Sequence, residues 1–280
     1  MVAVSSVYFV VASFLLGCVF VLGAYFPGHF TLIEEEKPPA RFFDVLVGFF
    51  FYMGFPIFVL PLFKPSFLMG SASDRILYIS LIQLIHLGLT GIFLLLYLRV
   101  FNALFLDYLW KRGSAAYLKD LAVGIAIWPL AFFIMSLWNS MIEHLLYSIF
   151  PGYEIQQQLP VIYLEKAKES IPLFFLASGI AAFLAPFVEE LLFRGVLQNA
   201  LKRYFPRQFA IVVTAAIFAA FHYAPSQGLS NISIVSSLFV FALFLGILYE
   251  KRRSLLASIS LHATFNTMSV LYVIYGEKAL

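Results

Sequence analysis

The sequence predicts an all-α, polytopic membrane protein with about eight transmembrane helices. Apolar residues make up 62% of the chain and charged residues only 12%, whereas soluble domains are roughly half apolar and a quarter charged. Apolar runs almost without charge recur along the chain, and roughly 20 such residues cross a hydrocarbon core of about 30 Å as a helix. Lipid is therefore the solvent of most of this chain.

Eight apolar runs define the predicted spans. The first has no basic segment before it, and at 23 residues it exceeds the roughly 7 to 15 apolar residues of a cleavable signal. We therefore expect it to remain as a span. The sixth run is the shortest. The runs cover residues 4–26, 42–63, 76–98, 121–150, 172–201, 209–223, 232–249 and 255–275.

The runs form one membrane domain in two parts. We expect residues 1–150 to be a four-helix scaffold and residues 151–280 to carry the catalytic helices. Lysine and arginine are concentrated in the loops after the first, third, fifth and seventh runs, which by the positive-inside rule places both termini outside. The prediction is a multi-pass protein of the cytoplasmic membrane, with the lipid bilayer as a partner.

Charge and cysteine usage exclude other classes. The net charge of +3 is dispersed among loops and forms no basic stripe that would neutralise a phosphate backbone. We therefore expect no nucleic-acid partner. Cys18 is the single cysteine, so the chain can form neither an internal disulfide nor a thiolate metal cluster.

The fifth run carries two consecutive carboxylates, Glu189 and Glu190, followed by Arg194. Glu190 and Arg194 are four residues apart, so on a helix they can form an ion pair. Glu189 points about 100° away from that pair, which leaves it available as a general base. Pro186 has no N–H, so we expect the carbonyl of Ala182 to lack its helical partner and the helix to kink beside Glu189.

Two later runs carry further polar faces at helical spacing. Phe218 and His222 are four residues apart in the sixth run, and His262 and Asn266 are four apart in the eighth. Charged and polar groups inside a bilayer are costly and commonly functional. The earlier runs contain His86, Glu143 and His144, which are not part of a comparable set of polar faces. We expect structural roles for them.

These three faces lie at similar depths when counted at about 1.5 Å per residue. Together they suit hydrolysis. Glu189 would deprotonate a water, a histidine would help to hold that water, and His262 and Asn266 would stabilise an oxyanion. Glu190 and Arg194 would support the site.

The ordered set of motifs resembles the CAAX-protease and bacteriocin-processing family, which includes the type II CAAX prenyl endopeptidases. The resemblance covers roughly residues 172–275 and implies an eight-helix intramembrane peptidase of glutamate type. In that case Glu189 and His222 would activate water, and His262 and Asn266 would form the oxyanion hole.

The family has also been described as metal-dependent. Glu189, His222 and His262 could supply three ligands and an open fourth position, as in a catalytic zinc site. The H-E-x-x-H signature of ordinary zinc peptidases is absent,. We favour a metal-free mechanism over one that uses a divalent metal such as zinc.

Two other function classes stay open. A proton-coupled transporter would also place Glu and His residues in the membrane, but it predicts repeat symmetry and broken helices in both halves. A non-catalytic membrane scaffold would have no need for buried polar groups. We expect a peptide or protein substrate, and the sequence does not distinguish a lipidated one from an unmodified one.

Overall fold

The structure is a computed structural model that describes residues 37–59, 71–110 and 114–276. Within these ranges the chain forms helices and no strand. The all-α membrane fold predicted from composition is confirmed. The first predicted span, residues 4–26, lies outside the described residues.

Nine helices, numbered in chain order, build the described part of the protein. Helices α1 and α6 each contain π-helical turns, at Phe55–Val59 in α1 and at Ile180–Leu184 and Leu191–Gln198 in α6. The helices are α1 (Phe42–Val59), α2 (Ala72–Phe101), α3 (Ala103–Trp110), α4 (Ser114–Ile149), α5 (Leu159–Ala167), α6 (Ile171–Tyr204), α7 (Arg207–Ala220), α8 (Ser230–Arg252) and α9 (Leu255–Tyr275).

Seven of the predicted spans fall on described helices. By length and composition, five helices can cross a membrane: α1, α2, α4, α6 and α8. Helix α7 is apolar but has only 14 residues. Helix α9 has 21 residues, and its serine, threonine, histidine and asparagine side chains make it less apolar than a simple span. The polar motifs belong to α6, α7 and α9. Two of these helices, α7 and α9, thus differ from ordinary spans.

Local sequence explains where some of these helices begin and end. Ser71 starts α2 with a capping box, because its Oγ accepts from the Asp74 N–H at 3.2 Å and its own N–H donates to Asp74 Oδ2 at 2.9 Å,. Arg253 ends α8 in the left-handed region, with φ of 52°,.

Helix α6 lies at the centre of the bundle. Every residue of Leu191–Gln198 is buried, which requires packing partners on all sides. Helices α1 and α2 contact it from the N-terminal half, and α7, α8 and α9 contact it from the C-terminal half. Glu250 of α8 also accepts from Gln198 at 2.8 Å and Lys202 at 2.9 Å, which ties one end of α6 to α8.

Helix α9 is held against α4 by an unusually close approach. A Cβ added to Gly124 would lie 2.5 Å from the carbonyl oxygen of Ala257 and 2.8 Å from the backbone nitrogen of Leu261. Only glycine fits there without a shift of one helix. Beside it, Ser260 donates to the carbonyl of Leu121 at 2.8 Å. These contacts fix the helix that carries His262 and Asn266.

Candidate active site

The predicted ion pair between Glu190 and Arg194 is present. Arg194 Nη1 donates to Glu190 Oε1 at 2.7 Å, and both side chains are fully buried. The guanidinium also lies 4.6 Å above the ring centre of Phe218, and its Nη2 donates to the carbonyl of Ala242 at 3.2 Å. A buried guanidinium needs such a paired charge and several acceptors, so Glu190 is committed to Arg194.

His262 of α9 bridges the two consecutive carboxylates of α6. Its Nδ1 lies 2.9 Å from Glu190 Oε1, and its Nε2 faces Glu189 Oε2 at 3.8 Å. Because an ionised carboxylate only accepts, Nδ1 carries a proton. The 3.8 Å separation is too long for a direct hydrogen bond. Glu189 therefore has a histidine nitrogen beside it without being bound by it.

Glu189 is less enclosed than Glu190, with 13% of its side chain exposed. A residue that the sequence did not suggest lies beside the site, because the ring of Tyr52 in α1 packs against Phe193 of α6 and against Phe221. The N-terminal half of the chain thus contributes a side chain to the surroundings of the site.

His222 lies just beyond the C-terminal end of α7 and not within the helix as predicted. Its Nδ1 is 2.9 Å from the carbonyl of Phe218, which assigns the proton to Nδ1 and leaves Nε2 as an acceptor. The ring of Phe218 contacts both histidines, with centroid distances of 4.7 Å to His222 and 5.7 Å to His262. Among the described residues, His222 makes no direct hydrogen bond to Glu189.

Asn266 is close to the site but holds α6 rather than a carboxylate. Its Nδ2 donates to the carbonyl of Ala181 at 2.7 Å. The sequence predicted that Pro186 leaves the carbonyl of Ala182 without a partner, on the assumption of an α-helix, but α6 is π-helical at Ile180–Leu184. In this register the N–H of Ala185 reaches Ile180, five residues back, so Pro186 fails to supply the partner of Ala181. The side-chain amide of Asn266 supplies the missing donor to Ala181, and its second N–H remains available.

The three side chains considered as metal ligands, Glu189, His222 and His262, are not grouped around one point in the structure. In residues 37–59, 71–110 and 114–276, no three His, Cys, Asp or Glu side chains are grouped so that they could hold a metal ion. Nδ1 of His262 is bound to Glu190, which leaves only its Nε2 for another partner. Glu189, His222 and His262 as placed among the described residues therefore do not form a metal centre.

Comparison with known proteins agrees with this part of the fold. Residues 171–268 match the family described as Type II CAAX prenyl endopeptidase, Rce1-like. The predicted CAAX-protease resemblance is confirmed over this segment. The match spans about a third of the chain, from α6 into α9, and includes every one of the candidate site residues. No curated protein and no solved structure matches the chain significantly.

At the level of this family, the matched segment is similar to membrane-embedded CAAX protease-like endopeptidases, which are hydrolases. The integral membrane location follows from the family and from the five long apolar helices. The family match also accounts for the uneven distribution of polar residues along the chain. The candidate site residues all lie in the matched segment, and α1 to α5 precede it.

Proposed function

We propose that the protein is an intramembrane endopeptidase that hydrolyses a peptide bond near the membrane with a water activated by Glu189. The observation that carries this proposal is the difference between two neighbouring carboxylates. Glu190 is fully buried and paired with Arg194, whereas Glu189 is partly exposed and faces a histidine nitrogen at 3.8 Å. Of the two, Glu189 is the one placed to exchange a proton with water.

The geometry supports a defined role for each group. Glu189 takes a proton from water, and Nε2 of His222, which is an acceptor, helps to hold that water. The hydroxide oxygen attacks the peptide carbonyl carbon, and the oxyanion receives the second amide proton of Asn266. The C–N bond then breaks, and Glu189 returns its proton to the leaving amine.

Glu190 and Arg194 contribute to this reaction by positioning His262. Their ion pair fixes Glu190 Oε1, which in turn accepts from Nδ1 of His262. The imidazole of His262 is thereby held with Nε2 turned toward Glu189. Such a carboxylate and histidine pairing fixes both the tautomer and the orientation of the ring.

The substrate class follows from the surroundings of the site. The helices around it expose large apolar side chains, which favours a substrate segment that enters from lipid or along the membrane surface. A peptide or the tail of a membrane protein fits this route. A lipid group attached to the substrate would add affinity through the bilayer, and the experiment compares substrates with and without one.

The test is peptide hydrolysis by the purified protein in detergent, with a fluorogenic prenylated peptide and a library of unmodified peptides. Glu189→Gln should lower kcat roughly a hundredfold to ten-thousandfold, the usual contribution of a general base. Glu143→Gln, the same substitution in α4 away from the site, is the matched control and should keep full activity.

A chelator arm separates the two mechanisms. Cleavage that survives the chelator and is lost in Glu189→Gln supports a metal-free glutamate peptidase, whereas loss with the chelator would show that a metal takes part. If folded wild-type protein cuts no peptide, or if Glu189→Gln cuts as well as wild type, the proposal fails and a non-catalytic scaffold becomes the better explanation.

A further inference from the structure

His222 belongs to a segment that has already left its helix. Helix α7 ends at Ala220, and the N–H of His222 still donates to the carbonyl of Ala219 at 3.0 Å. Two residues after His222 the chain turns away, because Ala224 is extended, with φ of −130° and ψ of 118°. We call residues 221–229, which join α7 to α8, the α7–α8 turn. The position of His222 therefore depends on how this turn is held.

One side chain of α8 binds both backbone polar groups of Ala224. Asn231 Oδ1 accepts from the Ala224 N–H at 3.0 Å, and Asn231 Nδ2 donates to the Ala224 carbonyl at 2.8 Å. The same Nδ2 donates to the carbonyl of Gly228 at 3.0 Å. Asn231 is only 5% exposed. Both ends of its amide are thus used to hold the α7–α8 turn.

The end of the α7–α8 turn that leads into α8 is tied to the segment between α4 and α5. Ser230 Oγ accepts from the N–H of Gln156 at 3.0 Å, and Gln227 Nε2 donates to the carbonyl of Gln157 at 3.2 Å. At the end that follows α7, the side-chain hydrogen bonds to the turn's backbone that the structure describes come from Asn231. The two ends of the turn therefore have separate anchors.

The proposed reaction needs His222 in a fixed position. Its Nδ1 lies 2.9 Å from the carbonyl of Phe218, which orients the ring relative to α7, and its Nε2 has the proposed role of holding the attacking water. Helix ends fray, and a displacement of about 1 Å between reacting groups can lower a rate roughly a hundredfold. An anchor two residues after His222 prevents such a displacement.

We infer that Asn231 is a positioning residue for His222: its amide holds Ala224 and so keeps the imidazole where it can hold the attacking water. This inference rests on the hydrolytic function proposed above. It gives α8, which carries none of the candidate site residues, a part in assembling the site. Burial of an amide is costly unless its hydrogen bonds are made, and those of the Asn231 side chain go to the α7–α8 turn.

The test is Asn231→Ala, assayed with the peptide that wild type cleaves. The loss of three side-chain hydrogen bonds releases the chain after His222, so kcat per folded protein should fall roughly tenfold to a hundredfold. KM should stay within about twofold, because the amide binds the protein's own backbone and not the substrate. If the alanine variant does not fold, Asn231→Ser takes its place, since a serine hydroxyl cannot bind both groups of Ala224.

A double-mutant cycle with His222→Ala separates positioning from general stability. If Asn231 acts through His222, its loss has nothing left to displace in the His222→Ala background. The double variant should then keep a kcat within about twofold of that of His222→Ala. A purely structural role would lower the melting temperature and leave kcat per folded protein unchanged. An equal further loss of kcat in both backgrounds would also overturn the inference.

A second measurement follows His222 without using activity. Diethyl pyrocarbonate modifies unprotonated imidazole nitrogens, and mass spectrometry gives the rate at each histidine. The rate at His222 should rise severalfold in Asn231→Ala, because a released turn exposes the ring, while the rate at His262 stays that of wild type. An unchanged rate at His222 would show that Asn231 does not hold it.

Asn102→Ala is the matched control. Asn102 Nδ2 also donates to a backbone carbonyl, that of Pro39 at 3.1 Å, and it donates to Asp44 Oδ2 at 2.8 Å. It follows the end of α2, and these partners are not residues of the site. We expect this variant to lose stability and to keep both the wild-type kcat and the wild-type modification rate of His222.

The outcomes are distinguishable from a failure of the proposed function. If wild type cleaves peptide, Glu189→Gln does not, and Asn231→Ala keeps a kcat within about twofold of wild type, the role of Asn231 is wrong while the hydrolytic function stands. An equal fall of kcat in Asn231→Ala and Asn102→Ala overturns that role as well. If Glu189→Gln remains active, the hydrolytic function itself has failed, and the modification rate still tells whether Asn231 holds His222.

Discussion

His262 and Glu190 are joined at 2.9 Å through Nδ1 and Oε1. The same Glu190 oxygen accepts from Arg194, so one atom connects α6 and α9 and neutralises a buried guanidinium. The residue next to it in sequence, Glu189, has neither of these contacts. Two adjacent carboxylates on one helix therefore have separate duties, one in stability and one in the proposed chemistry.

The first prediction separates these duties. Glu190→Gln keeps the size of the side chain but leaves Arg194 charged and buried without its counter-charge, which costs about 3–5 kcal/mol in comparable buried pairs. We expect a strongly lowered melting temperature for this variant in detergent.

Glu189→Gln serves as the comparison, because the two substitutions are chemically identical and adjacent. Its melting temperature should lie close to that of wild type, while its activity is lost. Equal melting temperatures for Glu190→Gln and wild type would contradict the assigned role of the ion pair.

The second prediction concerns the break in α6. Asn266→Ala removes the donor to the Ala181 carbonyl and should cost about 1–3 kcal/mol, the penalty for a buried acceptor without a partner. The free energy of unfolding, followed by helical signal in mixed detergent, measures it.

Pro186→Ala offers a specific rescue, because it restores a backbone N–H at the position that pairs with Ala181 in the π register. The double variant should therefore be more stable than Asn266→Ala alone. If adding Pro186→Ala lowers stability further, the pairing inferred between Asn266, Ala181 and Pro186 is incorrect.

The third prediction tests how α9 is placed. Gly124→Ala puts a methyl group 2.5 Å from the carbonyl oxygen of Ala257, so α4 and α9 must separate, at a cost of about 1–3 kcal/mol for overpacking. Because α9 carries His262 and Asn266, we expect peptide hydrolysis to fall together with the melting temperature.

Gly88→Ala in α2 is its control, since a Cβ there meets no atom within 4 Å. Alanine favours the helix over glycine by about 1 kcal/mol, so stability should be equal or slightly higher and activity unchanged. A similar loss in both variants would mean that the close approach of α4 and α9 has no special role.

Short-range sequence rules predicted part of this site well. The apolar runs predicted the positions of seven of the nine helices in the described residues, because length and apolar content decide which segments cross lipid,. The spacing of Glu190 and Arg194 predicted their ion pair. The motif order predicted the family match over residues 171–268.

What the sequence did not predict follows from two physical causes. The first is a change of helical register, since a π turn moves the carbonyl affected by Pro186 from Ala182 to Ala181. The second is contact between distant segments, because nothing in the local pattern of α1 indicates that Tyr52 packs against Phe193 and Phe221. The position of His222 was also not predicted. His222 lies past the C-terminal end of α7, and the ring of Phe218 contacts both His222 and His262.

The shortness of α7 has a consequence for the supply of water. Fourteen residues rise about 21 Å at 1.5 Å per residue, which is less than the roughly 30 Å thickness of a hydrocarbon core. A span of this length would relieve the hydrophobic mismatch by local thinning of the bilayer. His222 follows the end of α7, so such thinning would bring the aqueous phase closer to His222.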